Sequence, residues 1–391
     1  MLFRSLVRDK ATDDPEVVSL SISSVSKRVN FLRFAWERFV IFLCNGLNRK
    51  TLFQVSIANT GTDISEHPLV READVIHLHW INQGLLSLKD ILKLTRLGKP
   101  IVWTMHDMWP CTGICHHAYE CTAFTDKCGH CPFLNSEKEK DLSYRVFRRK
   151  SFLSISDIHI VTVSSWLAAK ARQSALTCNL SVTVVPNVID TSVFYKKDKA
   201  TSRTALGFPS DRKIVLMGAA RLDDPIKGFG YLKDALGGLM KDSSGNVNLL
   251  LVLFGRIKDE TNFFKGLSVP HVYMGEMSDA DRIADLYSSA DVTVVPSLYE
   301  TFGQTIIEAM ACGCPAVSFD NSGQTDIIAH KKNGYLARYK DADDFAEGIR
   351  WVLTHPNPKN LSDACIEKVR TEYSEALVAE KYTALYKELL R

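Results

Sequence analysis

Two carboxylates stand eight positions apart in the segment Pro296-Ser-Leu-Tyr-Glu300-Thr-Phe-Gly-Gln-Thr-Ile-Ile-Glu308-Ala-Met-Ala-Cys-Gly313-Cys-Pro315. The segment reads as the end of a strand, a loop, a helix opening near Phe302, Gly303 and Gln304, a glycine stop and the next strand. A helix start offers amide donors and the positive end of a dipole, which suits a phosphate, and Gly303 permits close approach. Glu300, just before the helix, can accept sugar hydroxyls. Glu308, about two turns down, can accept both hydroxyls of a ribose. An equally ordinary reading makes Glu300 a partner of the helix dipole and Glu308 a solvated helical residue.

Other candidates follow apolar runs. Arg221-Leu-Asp-Asp-Pro-Ile-Lys227 places two cations after a strand, suited to a departing diphosphate, or else to a surface ion pair and a solvated loop. His106-Asp107 closes the run Ile101–Met105; His106 can hydrogen-bond a sugar hydroxyl or phosphate oxygen, or serve as a satisfied structural histidine. His77 and His79 flank Leu78 and share one strand face, His79 facing either an acceptor or the core. In the insertion 111–131, Cys128-x2-Cys131 is half of a zinc site that Cys115 and Cys121 would close, with Cys111, His116, His117 and His130 as rival ligands. Four protein ligands would make that zinc structural. Packed reduced thiols or an oxidised pair are the alternative.

These residues need elements to hold them. At 391 residues the chain exceeds what one core serves, and its 46% hydrophobic and 24% charged composition is that of a folded globular protein. A net charge of +3 gives no sign of a nucleic-acid binder. Short apolar runs at Val75–Trp80, Ile101–Met105, Ile158–Val163, Lys213–Met217, Val247–Phe254, Val272–Met274, Asp291–Val295 and Pro315–Phe319 predict parallel strands separated by helices. The fold class is α/β, two doubly wound Rossmann-like domains facing a cleft, with ligands beyond the carboxyl ends of the strands. The polar stretch Phe194–Arg212 is the expected connection plus a short helix, giving domains 1–200 and 201–391, with the last helix packing back on the first domain.

The longest early apolar run, within Phe39–Cys44, is too short to span a bilayer, and no signal peptide pattern opens the chain, so a cytoplasmic protein is expected. The basic and apolar segment Ser143–Lys150 either rests on anionic lipid at the inner membrane face or forms a solvated helix with an apolar inner side.

The Glu300-x7-Glu308 segment resembles the signature of the retaining glycosyltransferases of family 4, which have the GT-B fold. The resemblance extends to Pro186-Asn-Val-Ile-Asp190, Arg221 to Lys227-Gly-Phe, Asn333-Gly-Tyr-Leu336 and the His106-Asp107 segment, and covers about residues 70–391. It implies that Glu300 meets the transferred sugar, Glu308 the ribose, and Arg221 and Lys227 the diphosphate, with Phe302, Gly303 and Gln304 at the donor-binding helix start and His106 opposite the donor. The donor would be a UDP- or GDP-sugar and the acceptor a saccharide or lipid-linked chain in surface polysaccharide assembly. No Asp-x-Asp sits with these residues to hold Mg²⁺, so no cofactor is expected for the transfer itself. A nucleotide-sugar epimerase of the same fold and a noncatalytic donor-binding relative are the competing readings.

Family members open with a strand and a Gly-rich loop, whereas Met-Leu-Phe-Arg-Ser-Leu-Val-Arg-Asp resembles the second strand, and no glycine precedes Gly46. The resemblance therefore implies a start shortened by roughly 30–40 residues, one βα unit, and a chain that is unstable or inactive by itself.

Overall fold

The computed structural model describes residues 3–136, 138–241 and 248–391, which leaves Met1, Leu2 and Val247 of the expected strands outside the described residues. The chain forms two compact units, Met1–Val184 with Ala384–Arg391, and Val185–Thr383. The division falls at Val184/Val185 rather than near residue 200. The cause is the helix Lys199–Leu206 in the expected connection: Arg203 Nη2 lies 2.7 Å and Lys199 Nζ 3.0 Å from Asp291, fastening the segment to the second unit.

The first unit contains β1 (Ser5–Val7), β2 (Val17–Ser19), β3 (Ile76–Leu78), β4 (Ile101–Met105), β5 (Ile158–Thr162) and β6 (Val182–Val184). β3-β4-β5-β6 form a parallel sheet, while β1 and β2 pair with each other in a sheet of their own. A groove of about 540 Å³, lined in part by Leu6, Leu20, Ile76, Leu78 and Leu86, adjoins β1 and β3.

The second unit contains β7 (Lys213–Arg221), β8 (Leu249–Arg256), β9 (His271–Tyr273), β10 (Val292–Val295), β11 (Ala316–Phe319) and β12 (Gly334–Ala337). Its parallel sheet runs β12-β11-β10-β7-β8-β9. Val215, Leu251, Val294 and Val317 join one buried cluster, while their neighbours Ile214, Leu216, Leu250 and Val252 join another. Burial on both sides is why these strands read as continuous apolar runs. The chain leaves β7 toward β8 and β9, then returns to β10 on the other side, so the sheet's switch point lies between β7 and β10.

Helix α1 (Ser24–Cys44) departs from the usual polarity. Its buried residues are Asn30, Glu37, Arg38 and Ile41, three of them polar. Glu37 Oε1 accepts from the backbone N–H groups of Ile57 and Ala58 at 2.7 and 2.8 Å, and Arg38 Nη1 donates to the carbonyls of Leu52 and Val55 at 2.5 and 2.8 Å. The two side chains also pair with each other at 3.0 Å. This buried pair holds α1 by hydrogen bonds, beside the apolar packing of Ile41. Removing one member strands the other. Glu37→Ala is expected to lower stability by about 3–5 kcal/mol in urea unfolding, and the double change Glu37→Leu/Arg38→Met to recover part of that loss.

Candidate active site

In the second unit the loops after β7 and β10 meet because those strands are neighbours. A short 3₁₀ turn, Pro225–Lys227, follows β7 and ends at Gly228, whose φ is +66°. A Cβ there would lie 1.9 Å from the Pro296 carbonyl oxygen, so only glycine lets the two loops approach this closely. The turn is tied across by Leu298 N–H donating to Ile226 O at 2.8 Å. Lys227 Nζ then reaches Glu300 Oε1 at 2.7 Å, with both side chains only partly exposed. Glu300 is fixed from behind as well, its N–H donating to Ser322 Oγ at 3.1 Å. Arg221 is more exposed, its Nε and Nη2 each 3.3 Å from Asp223 Oδ1.

The helix after Glu300 spans Gln304–Ala311 and is capped by Gly303 at φ +122°. Phe302 is buried against Tyr373, with ring centres 5.6 Å apart, and Gln304 Nε2 donates to Val188 O at 3.3 Å. Glu308 is not a solvated residue. It is largely buried, accepts from Tyr287 Oη at 3.0 Å, and burial pushes its carboxyl up to about 7. The structure thus brings Lys227 and Glu300 together, and sets Glu308 in the second turn of the adjoining helix.

In the first unit β3 and β4 deliver a row of imidazoles. His77 and His79 lie on one face, ring centres 4.1 Å apart, and His79 Nδ1 is 3.0 Å from His106 Nε2. His77 is anchored by Thr104 Oγ1 at 2.7 Å and Tyr386 Oη at 2.6 Å. Desolvation and neighbouring imidazoles hold His77 down at about 3 and His79 at about 4, and desolvation also lowers His106. The row is therefore neutral near pH 7. Asp107 takes the N–H groups of Trp80 and Trp109 and contacts His116 Nδ1 at 2.6 Å, so it orients the loop beside His106.

The expected zinc site is not formed. Cys115, Cys121, Cys128 and Cys131 line one cavity of about 20 Å³, but among the described residues no three His, Cys, Asp or Glu side chains converge on a point that can hold a metal. All four are free thiols, and burial pushes Cys128 up to about 12 and Cys131 to about 11 and holds Cys115 well above the usual thiol value. Helix Leu142–Lys150 buries Val146, Phe147 and Lys150 and exposes Arg145, Arg148 and Arg149, the solvated-helix reading of that segment.

Comparison with known proteins bears on both units. The fold matches sucrose-phosphate synthase of Thermosynechococcus elongatus at a TM-score of 0.63, 22% identity, over 81% of this chain and 73% of that one. It matches Anabaena HepE, solved in complex with UDP and glucose, at 0.58 and 18% identity over 83% of each chain. The family model for glycosyl transferases group 1 matches residues 198–372, and that for glycosyltransferase family 4 matches residues 60–193. Between them the two glycosyltransferase models match most of residues 60–372 of this chain, which has the GT-B fold. An uncharacterised glycosyltransferase of Methanocaldococcus jannaschii is 28% identical over 80% of this chain and 83% of its own length. Several further curated relatives, among them an N-acetyl-alpha-D-glucosaminyl L-malate synthase of Bacillus anthracis, are matched over 61% of their length or less.

Sequence reasoning missed three contributors to these sites: Tyr287 on Glu308, Ser322 on Glu300, and the Ser56–His116–Asp107 chain, in which Ser56 Oγ lies 3.0 Å from His116 Nε2. Each pairs residues from distant strands or loops, and no local pattern signals it.

The Glu308 shift has a consequence for stability in this GT-B chain. A carboxyl raised from 4.5 to about 7 is protonated more readily when folded than when unfolded. Its contribution is present below about pH 4.5 and is lost as pH rises to about 7, by up to about 3 kcal/mol. Chemical denaturation at pH 5 and pH 8 should show that loss in the wild type, and Glu308→Gln should remove it.

Proposed function

We propose that this GT-B chain transfers a sugar, with retention at the anomeric carbon, from a nucleoside-diphosphate sugar to a saccharide or lipid-linked acceptor, without a metal and in surface polysaccharide assembly. The observation that carries the reading is the Lys227–Glu300 pair at the switch point of the second sheet, beside the helix that bears Glu308. Anabaena HepE, of the same fold, was solved in complex with UDP and glucose, which is in keeping with such a donor.

Cleaving the bond between the anomeric carbon and the diphosphate builds negative charge on the phosphates and positive charge on the sugar. Lys227 and Arg221 neutralise the leaving group in place of a divalent ion. Arg221 has only its 3.3 Å contacts with Asp223 to give up, so turning toward a phosphate costs little. As Lys227 turns to the diphosphate, Glu300 is released to accept hydroxyls of the transferred sugar. The start of helix Gln304–Ala311, at Phe302, Gly303 and Gln304, receives phosphate oxygens. Glu308 takes the ribose hydroxyls, and its partner Tyr287 holds it in place. A neutral His106 hydrogen-bonds a sugar hydroxyl or a phosphate oxygen. The new bond forms between the acceptor oxygen and the anomeric carbon as the old one breaks, and the acceptor proton passes to the departing diphosphate oxygen.

Glu300→Ala is expected to reduce transfer by roughly 10²–10³-fold with an unchanged melting temperature. Glu308→Ala should weaken UDP or GDP binding by about 1.5–3 kcal/mol in calorimetry, and equal affinity in mutant and wild type would remove the ribose assignment. EDTA should leave transfer intact. Conversion of a UDP-sugar to its epimer with no acceptor present would assign the chain to the epimerases instead.

A further inference from the structure

Helix α1 is inverted. Its inner face carries the Glu37–Arg38 pair and Asn30, while Val25, Val29, Leu32, Trp36, Phe39 and Leu43, spaced by alternating steps of four and three, stand in solvent. Their exposure ranges from 38% at Val29 to 69% at Val25. Steps of four and three gather residues into one stripe along a helix. Ile22 continues that stripe before the helix and Leu47 beyond it, both more than half exposed. A contiguous apolar stripe of this length, on a helix that buries Asn30, Glu37 and Arg38, is a surface awaiting an apolar partner.

The charges around it choose the partner. From Ile22 to Phe53 the chain carries Lys27, Arg28, Arg33, Arg38, Arg49 and Lys50 against one carboxylate, Glu37. Glu37 and Arg38 are buried together, so every charge this segment shows to solvent is positive. A second copy of the helix laid along the stripe would bring cation against cation, with no carboxylate in the segment to pair across the seam. An anionic lipid surface meets both features, taking the apolar stripe and its aromatic rings Trp36 and Phe39 at the headgroup boundary and the flanking lysines and arginines among the phosphates.

We propose that the exposed face of α1 seats this protein on anionic bilayers, with the helix lying in the plane of the interface. This surface is distinct from Ser143–Lys150, whose apolar side is already spent in the core. It involves none of the residues assigned to sugar transfer, so it stands or falls separately from that reading.

The experiment is co-sedimentation of the full chain with vesicles of pure phosphatidylcholine and of phosphatidylcholine with 30% phosphatidylglycerol, at low and high salt. Strong binding to the anionic vesicles, weakened by salt and at least tenfold weaker on pure phosphatidylcholine, is expected. Trp36→Asp/Phe39→Asp should lose that binding at least tenfold with unchanged circular dichroism and melting temperature, and Lys27→Glu/Arg28→Glu should reduce it while leaving the apolar stripe whole. Brominated acyl chains should quench tryptophan emission less in Trp36→Phe than in the wild type. A wild type that stays in the supernatant with every vesicle, or binding equal in wild type and Trp36→Asp/Phe39→Asp, overturns the proposal. So does a concentration-dependent dimer, abolished by that double change, in a protein that ignores vesicles.

Discussion

An ammonium and a carboxylate separated by 73 positions in sequence lie 2.7 Å apart because β7 and β10 are neighbours in a parallel sheet. Parallel strands end on one edge, so the loops that follow them are gathered there whatever their distance along the chain. The order β12-β11-β10-β7-β8-β9 sets the loop carrying Lys227 beside the loop carrying Glu300. Gly228 then decides how close they come, since any side chain there would strike the Pro296 carbonyl. The order of the strands thus fixes which charges meet, and one residue without a Cβ fixes the distance.

The two units manage charge differently at their strand ends. In the second unit an ion pair with partial exposure can be opened and its members redistributed to an incoming ligand, because neither charge is committed to the deep interior. In the first unit the imidazoles His77, His79 and His106 are kept neutral by desolvation, helped at His77 and His79 by their imidazole neighbours, so they act as hydrogen-bonding groups rather than as a positive patch. A neutral imidazole both donates and accepts, which suits recognition of hydroxyls more than of bare anions. Glu308 follows the same logic from the acid side: buried beside Tyr287, it resists ionisation until a partner that rewards the charge arrives.

Much of this was legible in the sequence, for reasons that can be named. Strands buried on both faces must be apolar throughout, so Ile101–Met105, Ile158–Thr162 and Ala316–Phe319 announce themselves. The helix after Glu300 was equally visible, framed by Gly303 before it and Gly313 beyond it. What stayed hidden were pairings set by the third dimension. Tyr287 reaches Glu308 from a different helix, and Ser322 reaches Glu300 from the loop after β11. The polar stretch before β7 looked like a linker because its helix owes its place to Asp291, a residue 88 positions beyond Arg203. Helix α1 was not legible either, because most of its apolar residues lie outside while a buried ion pair shares the inner face with Ile41.

The cysteine insertion shows why spacing alone did not decide a ligand set. Lys150 is fully buried among these residues, its Nζ donating to the carbonyls of Trp109 at 2.6 Å and Thr112 at 3.0 Å. Desolvation pulls its ammonium down to about 7, while the nearby thiols of Cys111 and Cys128 are pushed up to about 12. Thiolates would pull the lysine back toward its charged form, and a charged lysine would favour thiolates, so the two kinds of group titrate against a shared penalty. With the thiols protonated, Cys128 Sγ accepts from the Gly113 N–H at 3.2 Å and Cys111 Sγ donates to the Met108 carbonyl at 3.2 Å, so the sulfurs serve as hydrogen-bonding packing atoms. A tetrahedral metal site requires four thiolates drawn to one point, whereas here Cys128 is engaged by a backbone N–H and the four sulfurs line a cavity about the size of one water molecule. The buried lysine at the base of the insertion links it to the helix Leu142–Lys150.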